Sequence, residues 1–320
     1  MLHSVKIKIF IFKKIFLIRV PDVVLLNMTK RKLLIKIKKE FPELKWKTAE
    51  HNVQGWDHYV IILDNKYVFR FPRTKHYLER LENEVSLLKY LKDRVKIPIP
   101  QYTHIAKDKS FAGYELIPGE QLKKKVFKLV PDKTRHILAK QIADFISALH
   151  KTPMKVAIKY STKKVDTRKM YKELLFKTNK WIMPRLSKRN QDVTQEFFKE
   201  FKNYLKFPNR VFTHNDLYSS HIFLSENKKY IAGIIDFADR RIDDPARDFT
   251  ELWDYGNSFV QEVYKYYKGP KDKDFLKRSM EYYKRIPFLE MISRFQGERG
   301  SFRTGFKKFK YRFLNKSVFD

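Results

Sequence analysis

Cysteine is absent from this 320-residue sequence, and glycine is scarce, with only nine residues. The absence of cysteine excludes a disulfide scaffold, a cysteine-based zinc site and a cysteine nucleophile. It is compatible with a reducing compartment, and we expect a cytoplasmic protein. The 43% of hydrophobic residues exclude a collagen-like, low-complexity or wholly disordered chain. We expect about two compact units, each with its own core.

Long apolar runs are also missing. Residues 1–27 are rich in hydrophobic residues, but five basic residues interrupt them: Lys6, Lys8, Lys13, Lys14 and Arg19. No stretch therefore reaches the ~18–20 residues that a membrane span needs, and no transmembrane segment is expected. The same charges argue against a secretory signal. We interpret residues 1–27 as an N-terminal extension, with Met28 as an alternative start, and an interfacial basic helix is the second interpretation.

Acidic residues are few, 36 against 69 basic ones, which gives a formal net charge of +33. Such an excess raises the question of a nucleic-acid or anionic-membrane partner. The basic residues are spread along the chain rather than gathered in one tract, and the 27 Phe and 18 Tyr fit the codon usage of an AT-rich genome. We expect no specific nucleic-acid partner. A non-catalytic basic binding protein is the alternative from a different functional class.

Hydrophobic periodicity divides the chain into two parts. Apolar residues recur at helical spacing over 33–41, and β-rich runs at 59–63 and 67–71 flank a turn, which predicts a hairpin. After a connector near 115–119, helical periodicity dominates, and three short strand-like runs interrupt it. They lie at 211–213, 222–224 and 230–235. The pattern predicts an α+β protein with two lobes.

Two carboxylates follow strand-like runs in the second part. Asp216 comes shortly after the run 211–213, and Asp236 follows the run 230–235 directly. A hairpin between 222–224 and 230–235 would bring Asp236 back towards Asp216. Converging carboxylates repel each other unless a cation lies between or beside them, which suits a divalent metal that holds a polyphosphate. The alternative is that both residues only cap loops.

Glu84 lies on the apolar stripe of a predicted helix, between Leu81 and Leu88. A carboxylate in that position faces the core and needs a cationic partner. Arg70 is the candidate, because it interrupts the apolar run 67–71. Such an arginine can present its guanidinium group to phosphates, or the two residues can form a purely structural ion pair.

Three segments together resemble a known family. Residues 214–224 read His-Asn-Asp-Leu-Tyr-Ser-Ser-His-Ile-Phe-Leu, residues 234–239 read Ile-Ile-Asp-Phe-Ala-Asp, and residues 244–249 read Asp-Pro-Ala-Arg-Asp-Phe. They are similar to the catalytic signatures of the aminoglycoside phosphotransferases, and most of all to those of the 2''-phosphotransferases. The resemblance extends from about Leu33 to near Phe313. It implies a bilobal protein-kinase-like fold, with a small antiparallel-sheet N-lobe and a larger, mostly helical C-lobe.

The resemblance also implies a role for each part. Residues 28–116 would form the nucleotide-binding N-lobe, and residues 117–320 the catalytic and substrate-binding C-lobe. Asp216 would be the catalytic carboxylate that takes the proton of the acceptor hydroxyl. His221 and Asp236 would hold Mg²⁺ on the phosphates of ATP or GTP. The reaction implied is transfer of the γ-phosphate to a hydroxyl group of a small molecule.

On the nucleotide side, the resemblance implies that Arg70, fixed by Glu84, contacts the α- and β-phosphates. The segment from Glu115 to Ile117 would bind the base, and the loop at Gly55 would cover the phosphates. Three features depart from the family pattern. Arg70 stands where lysine is usual, His221 stands where most of the wider family has asparagine, and Gly55 is the only glycine of its loop.

Asp248, Glu251 and Asp254 recur every three residues, which predicts three acids along one side of a helix. Such acids would bind a cationic, aminoglycoside-like acceptor, and the alternative is a solvated helix face. By the resemblance, His214 and Asp248 also brace the catalytic loop. Other acceptors compatible with the fold are a macrolide, choline or another amino alcohol, and homoserine. The sequence assigns no oligomeric state.

Overall fold

The computed structural model describes residues 28–52, 57–160, 166–298 and 300–314. The predicted N-terminal extension, 1–27, and the predicted phosphate-loop glycine, Gly55, lie outside the described residues. Among the described residues, no helix is both long and apolar enough to cross a membrane.

The first part of the chain forms a five-stranded antiparallel sheet with the strand order β1-β2-β3-β5-β4. Its strands are β1 (Ala49–Asn52), β2 (His58–Leu63), β3 (Tyr67–Pro72), β4 (Tyr102–Ile105) and β5 (Ala112–Glu115). The predicted hairpin is confirmed, because β2 and β3 pair across the Asp64–Asn65 turn. Both turn residues have a positive φ, which Asp and Asn tolerate better than most residues.

Two helices accompany this sheet, α1 (Lys30–Glu40) and α2 (Lys75–Leu91). The Thr74 hydroxyl caps α2 by accepting a hydrogen bond from the Tyr77 amide at 3.3 Å. The apolar stripe of α2 is buried, as its spacing predicts, and Glu84 is buried within it.

The second part of the chain is mostly helical. Its helices are α3 (Lys124–Phe127), α4 (Asp132–His150), α5 (Met154–Tyr160), α6 (Thr167–Lys177), α7 (Lys188–Asn203), α8 (Asn257–Tyr266), α9 (Phe275–Phe295) and α10 (Phe302–Leu314). Its short strands are β6 (Glu120–Gln121), β7 (Val211–Thr213), β8 (Ile222–Leu224), β9 (Ile231–Ile234) and β10 (Arg241–Asp243). They form two small sheets, β6-β8-β9 and β10-β7, which carry the loops with the predicted catalytic residues.

Each part has its own hydrophobic core. The smaller core lies between the five-stranded sheet and α1, and the larger one fills the helical part. Leu87, Leu88 and Leu91, at the end of α2, belong to the larger core. Helix α2 therefore joins the two parts, and the Pro98 carbonyl adds a contact by accepting a hydrogen bond from the Ile234 amide at 3.0 Å.

Candidate active site

Three predicted site residues meet where the small sheets end. Strand β7 leads into the loop that carries Asp216, and the β8–β9 hairpin brings Asp236 back beside it, with Ile222 opposite Ile234. One side-chain ligand atom from each of Asp216, His221 and Asp236 lies within 4.8 Å of the other two. The convergence of the two carboxylates predicted from the strand pattern is therefore present.

Hydrogen bonding orients the imidazole ring of His221. Its Nδ1 lies 2.9 Å from the backbone carbonyl of Asp216, and because a carbonyl only accepts, Nδ1 must carry the proton. In the neutral ring this leaves a lone pair on Nε2, which lies 3.6 Å from Asp236 Oδ2. A metal-binding histidine usually has its second nitrogen fixed in this way.

The two carboxylates differ in their electrostatic surroundings. Burial, and then the charge of Asp236, raise the pKa of Asp216 well above its usual range. Burial also acts to raise the pKa of Asp236, but Arg70, His221 and His214 outweigh it and lower that pKa. The pair thus consists of one carboxylate that holds its charge and one that readily accepts a proton.

Asp236 has two features that fit a bound cation. Its Oδ1 is buried and has no hydrogen-bond partner among the described residues. Its backbone is left-handed, with φ of 67°, a conformation that is uncommon for residues other than glycine and that is also found at functional sites. Carboxylate oxygens are the ligands that Mg²⁺ prefers, so Asp216 and Asp236 fit this ion, whereas the His221 nitrogen is a softer ligand.

The predicted pairing of Arg70 with Glu84 is confirmed. Arg70 Nη1 donates to Glu84 Oε1 at 2.6 Å and to the Tyr102 hydroxyl at 3.0 Å. On the other side, Arg70 Nη2 lies 3.2 Å from His58 Nδ1 and 3.6 Å from Asp236 Oδ1. Arg70 therefore links the buried glutamate of α2 to the carboxylate of the candidate metal site.

His58 and Tyr102 were not found from the sequence. Since arginine only donates, His58 Nδ1 accepts the hydrogen bond, and burial followed by the charge of Arg70 lowers the pKa of His58 well below its usual value. A signal for His58 was available, because it lies two residues from Val60, which pairs with Arg70. Alternate residues of a strand share one face of the sheet.

Asp248 anchors the predicted catalytic loop, residues 214–221, by hydrogen bonds to its first residues. Its carboxylate accepts hydrogen bonds from the His214 amide at 2.9 Å, the Asn215 amide at 2.6 Å and His150 Nε2 at 2.9 Å. In the neutral ring, where His150 Nε2 donates, its Nδ1 accepts from the Tyr267 hydroxyl at 2.6 Å. Asp248 is 1% exposed. These hydrogen bonds support the predicted bracing role. The predicted place of Asp248 in the acceptor pocket is wrong, because its carboxylate is buried and bound to the amides of the loop.

The predicted row of three acids is also wrong in its geometry. Asp248 and Glu251 lie in two separate 3-10 turns, Pro245–Phe249 and Glu251–Tyr255, rather than on one α-helix. Glu251 faces the cleft beside Asp216, whereas Asp254 lies in a different cleft that basic residues dominate. Arg312 Nη2 lies 3.8 Å from a carboxylate oxygen of each, so that this guanidinium group bridges the two acids.

Asp216 and Asp239 line two clefts at once. One cleft, of about 840 Å³, lies between the five-stranded sheet and the β8–β9 hairpin, and Arg70, His221 and Asp236 line it. The other, of about 550 Å³, lies on the opposite side of the catalytic loop. A group bound in either cleft reaches Asp216.

The connector between the two parts borders the first cleft. Leu116 and Ile117 line it, while the side chain of Glu115 is exposed and does not. The Leu116 amide donates to the Lys66 carbonyl at 2.8 Å, which holds the connector against β3. Of the segment predicted to bind the base, the structure thus brings Ile117 into the cleft and leaves the side chain of Glu115 outside.

The sequence profile of the phosphotransferase enzyme family matches residues 48–280, well over half of the chain. The chain belongs to this family. The family match spans the sheet, the connector and the catalytic loop, so the expected phosphotransferase class is confirmed.

Solved structures of phosphotransferases share the fold. The GDP complex of wild-type aminoglycoside 2'-phosphotransferase-IIIa is 24% identical and has a TM-score of 0.80, covering 90% of this chain and 99% of that one. The streptomycin–ATP complex of APH(2'')-IIa is 18% identical, with a TM-score of 0.64 and coverage of 92% and 98%. The macrolide 2'-phosphotransferase MphH from Brachybacterium faecium is 17% identical, with a TM-score of 0.64 and coverage of 88% and 97%. The expected bilobal, kinase-like α+β fold is confirmed.

Proposed function

We propose that this phosphotransferase moves the γ-phosphate of ATP or GTP to a hydroxyl group of a small, cationic, aminoglycoside-like molecule. The observation that carries the proposal is the position of Asp216 between two clefts, one suited to a nucleotide and one to an acceptor. We also propose the division of labour expected from the sequence, with residues 28–116 binding the nucleotide and residues 117–320 carrying the catalytic and acceptor-binding groups.

The larger cleft combines the two kinds of surface that a nucleotide needs. Apolar side chains, among them Val60 and Ile117, line it for the base, and Arg70 lines it for the phosphates. The Arg70 guanidinium is fixed by the buried Glu84 and needs no reorganisation when an anion arrives. This preorganisation explains why a bulkier arginine serves where a lysine is usual.

Asp236 and His221 are the proposed ligands of Mg²⁺, which leaves the neighbouring Asp216 to accept the proton. When bound, the cation neutralises charge on the nucleotide phosphates. Asp236 suits this role because it keeps its negative charge beside Arg70. His221 suits it through the lone pair that its hydrogen bond to the Asp216 carbonyl leaves on Nε2.

Asp216 would orient the acceptor hydroxyl and receive its proton. In the transfer, the hydroxyl oxygen forms a bond to the γ-phosphorus, the bond between that phosphorus and the bridging oxygen breaks, and the nucleoside diphosphate leaves. The proton of the hydroxyl passes to the Asp216 carboxylate. Asp248 supports this step by accepting hydrogen bonds from the consecutive backbone amides of His214 and Asn215.

The second cleft favours a cationic acceptor. Six acidic and four basic side chains line it, although the whole chain carries a net charge of +33. Glu251 is the predicted acid that reaches this cleft. Solved relatives of the same fold include complexes of APH(2'')-IIIa with kanamycin and of APH(2'')-IIa with gentamicin. A macrolide is the second candidate acceptor, because the fold is shared with macrolide phosphotransferases.

A nucleotide-consumption screen tests the proposal. The purified chain is incubated with Mg²⁺, with ATP or GTP, and with aminoglycosides, macrolides, amino alcohols and homoserine in turn. We expect consumption that depends on an aminoglycoside and a product that carries one added phosphoryl group. Turnover of a macrolide or an amino alcohol alone would retain the chemistry but contradict the proposed acceptor. No acceptor-dependent turnover of any of these compounds would contradict the proposed function.

A further inference from the structure

One wall of the acceptor-side cleft carries an arginine cluster, formed by Arg241, Arg247 and Arg285. Arg247 and Arg285 line the cleft itself. Both guanidinium groups lie over the ring of Tyr282, with their central carbons 3.8 Å and 5.5 Å from its centroid. Burial, followed by the charges of Arg247 and Arg241, lowers the pKa of Arg285 to about 9.

The hydrogen-bonding capacity of this cluster is largely unused. Arg247 is 3% exposed, yet its Nε and Nη1 have no hydrogen-bond partner among the described residues. Arg285 Nε likewise has none within the described part of the chain. Arg247 Nη2 and Arg285 Nη1 both donate to the thioether sulfur of Met170, at 3.8 Å and 3.3 Å. A thioether is a weak acceptor, and buried guanidinium donors are costly to leave unsatisfied.

The nearby carboxylates leave three buried donors of the cluster, Arg247 Nε and Nη1 and Arg285 Nε, without a hydrogen bond within the described residues. Arg247 Nε forms an ion pair with Asp243 Oδ2 at 3.3 Å, and Arg241 Nε donates to the neutral backbone carbonyl of Asp239 at 3.3 Å. Asp239 and Asp216 add negative charge near Arg241, and Asp243 is a carboxylate that acts on both Arg241 and Arg285. A planar guanidinium fork matches the geometry of a phosphate or carboxylate oxyanion.

We propose that Arg247 and Arg285 form a binding subsite for a phosphate-type oxyanion in the acceptor-side cleft. The oxyanion is either free inorganic phosphate or a phosphate ester carried by a hydroxylated ligand. The acids of the same cleft would hold amino groups, so a molecule with both an amine and a phosphate would fit both walls. The inference does not depend on which acceptor is phosphorylated.

Calorimetric titration tests the subsite directly. The nucleotide cleft is first saturated with Mg²⁺ and a non-hydrolysable ATP or GTP analogue, so that the γ-phosphate position is filled and added phosphate cannot bind there. Inorganic phosphate, glucosamine 6-phosphate and glucosamine are then titrated separately. We expect at least one of the two phosphates to bind and glucosamine to bind more weakly. Binding of inorganic phosphate alone assigns the site to the free anion, and tighter binding of the ester assigns it to a phosphorylated ligand. Binding of neither phosphate would overturn the proposal.

Variants locate the binding. Arg285→Gln should weaken phosphate binding by about 10- to 100-fold, the loss expected for charge-assisted hydrogen bonds. Arg294→Gln is the matched control, because it removes the same charge from an exposed position of the same helix, and it should leave the affinity unchanged. Wild-type affinity in Arg285→Gln would contradict the proposal.

A second variant keeps the test valid if Arg285→Gln does not fold. Leu289 is 43% exposed, lines the same cleft and lies one helical turn after Arg285. Leu289→Glu should place a competing carboxylate beside the cluster and weaken phosphate binding at least tenfold, whereas Leu289→Gln should have little effect. Equal affinities in these two variants would count against the subsite.

Discussion

We expect the buried ion pair of Arg70 and Glu84 to contribute both to the stability of the fold and to nucleotide binding, so its two roles can be separated by mutation. Glu84 is 1% exposed and accepts from Arg70 Nη1 at 2.6 Å. Its replacement by leucine removes the carboxylate and leaves the Arg70 charge buried. Breaking a buried ion pair by removing one partner costs about 3–5 kcal/mol, and we expect Glu84→Leu to lower the free energy of unfolding by that amount.

Arg70→Met should destabilise the protein similarly, since it leaves Glu84 buried without its cation. The double variant, Arg70→Met/Glu84→Leu, removes both charges together and replaces them with apolar groups. We expect it to be more stable than either single variant by about 1–3 kcal/mol, because the two effects are coupled through one contact. Glu82→Leu, at an exposed position of the same helix, is the matched control and should change stability little.

Urea unfolding and nucleotide titration of the four variants separate the two roles. The double variant should recover stability but not affinity for the Mg²⁺–nucleotide, because affinity requires the Arg70 guanidinium. Purely additive losses of stability in the double variant would refute the ion-pair reasoning. Wild-type nucleotide affinity in the double variant would refute the proposed contact between Arg70 and the phosphates.

Three further predictions concern the other site residues. Asp236→Ala should abolish Mg²⁺-dependent nucleotide binding, and an unchanged affinity in a titration with and without Mg²⁺ would contradict its role. His221→Asn should retain turnover while His221→Ala loses it, since Asn supplies an oxygen ligand. Equal turnover of the two variants would contradict a metal-binding role of His221. Burial, partly offset by Arg312, raises the pKa of Glu251 to about 7, so the folded protein binds more protons than the unfolded chain between pH 4.5 and 7. Stability contributed by this group is present at low pH and falls as the pH rises through that window, by about 3 kcal/mol. In urea unfolding, Glu251→Gln should lose this dependence, and an unchanged pH profile would be the contrary result. The same variant should raise the KM of a cationic acceptor, with Glu226→Gln, at an exposed position, as the control of equal charge.

The ion pair was predictable because both of its members break a pattern. Glu84 interrupts a helical apolar stripe and Arg70 interrupts an apolar strand, so each needs a polar partner in the core. The strand pattern also predicted that Asp236 would return to Asp216, because a hairpin reverses the chain within a few residues. The fold followed from the same periodicities together with the family resemblance.

The acceptor side was less predictable for a physical reason. Acids that recur every three residues share one helix face only if the helix is continuous. Here two separate 3-10 turns carry the three acids. The Asp248 carboxylate accepts hydrogen bonds from backbone amides of the predicted catalytic loop, and the spacing of residues in the sequence does not reveal such contacts. The arginine cluster combines residues of β10, the turn after it and α9, and such long-range contacts leave no local pattern.

The proposed phosphoryl transfer depends on Asp216 accepting the proton of the acceptor hydroxyl. The most direct test compares Asp216→Asn with the wild type in a phosphoryl-transfer assay and in a Mg²⁺–nucleotide titration. The amide keeps the shape of the side chain but cannot take the proton, so turnover should fall by about 10²- to 10⁴-fold while nucleotide binding changes little. Asp132→Asn, at an exposed position, should behave as the wild type. An Asp216→Asn enzyme that retained half of the wild-type turnover would contradict the central claim.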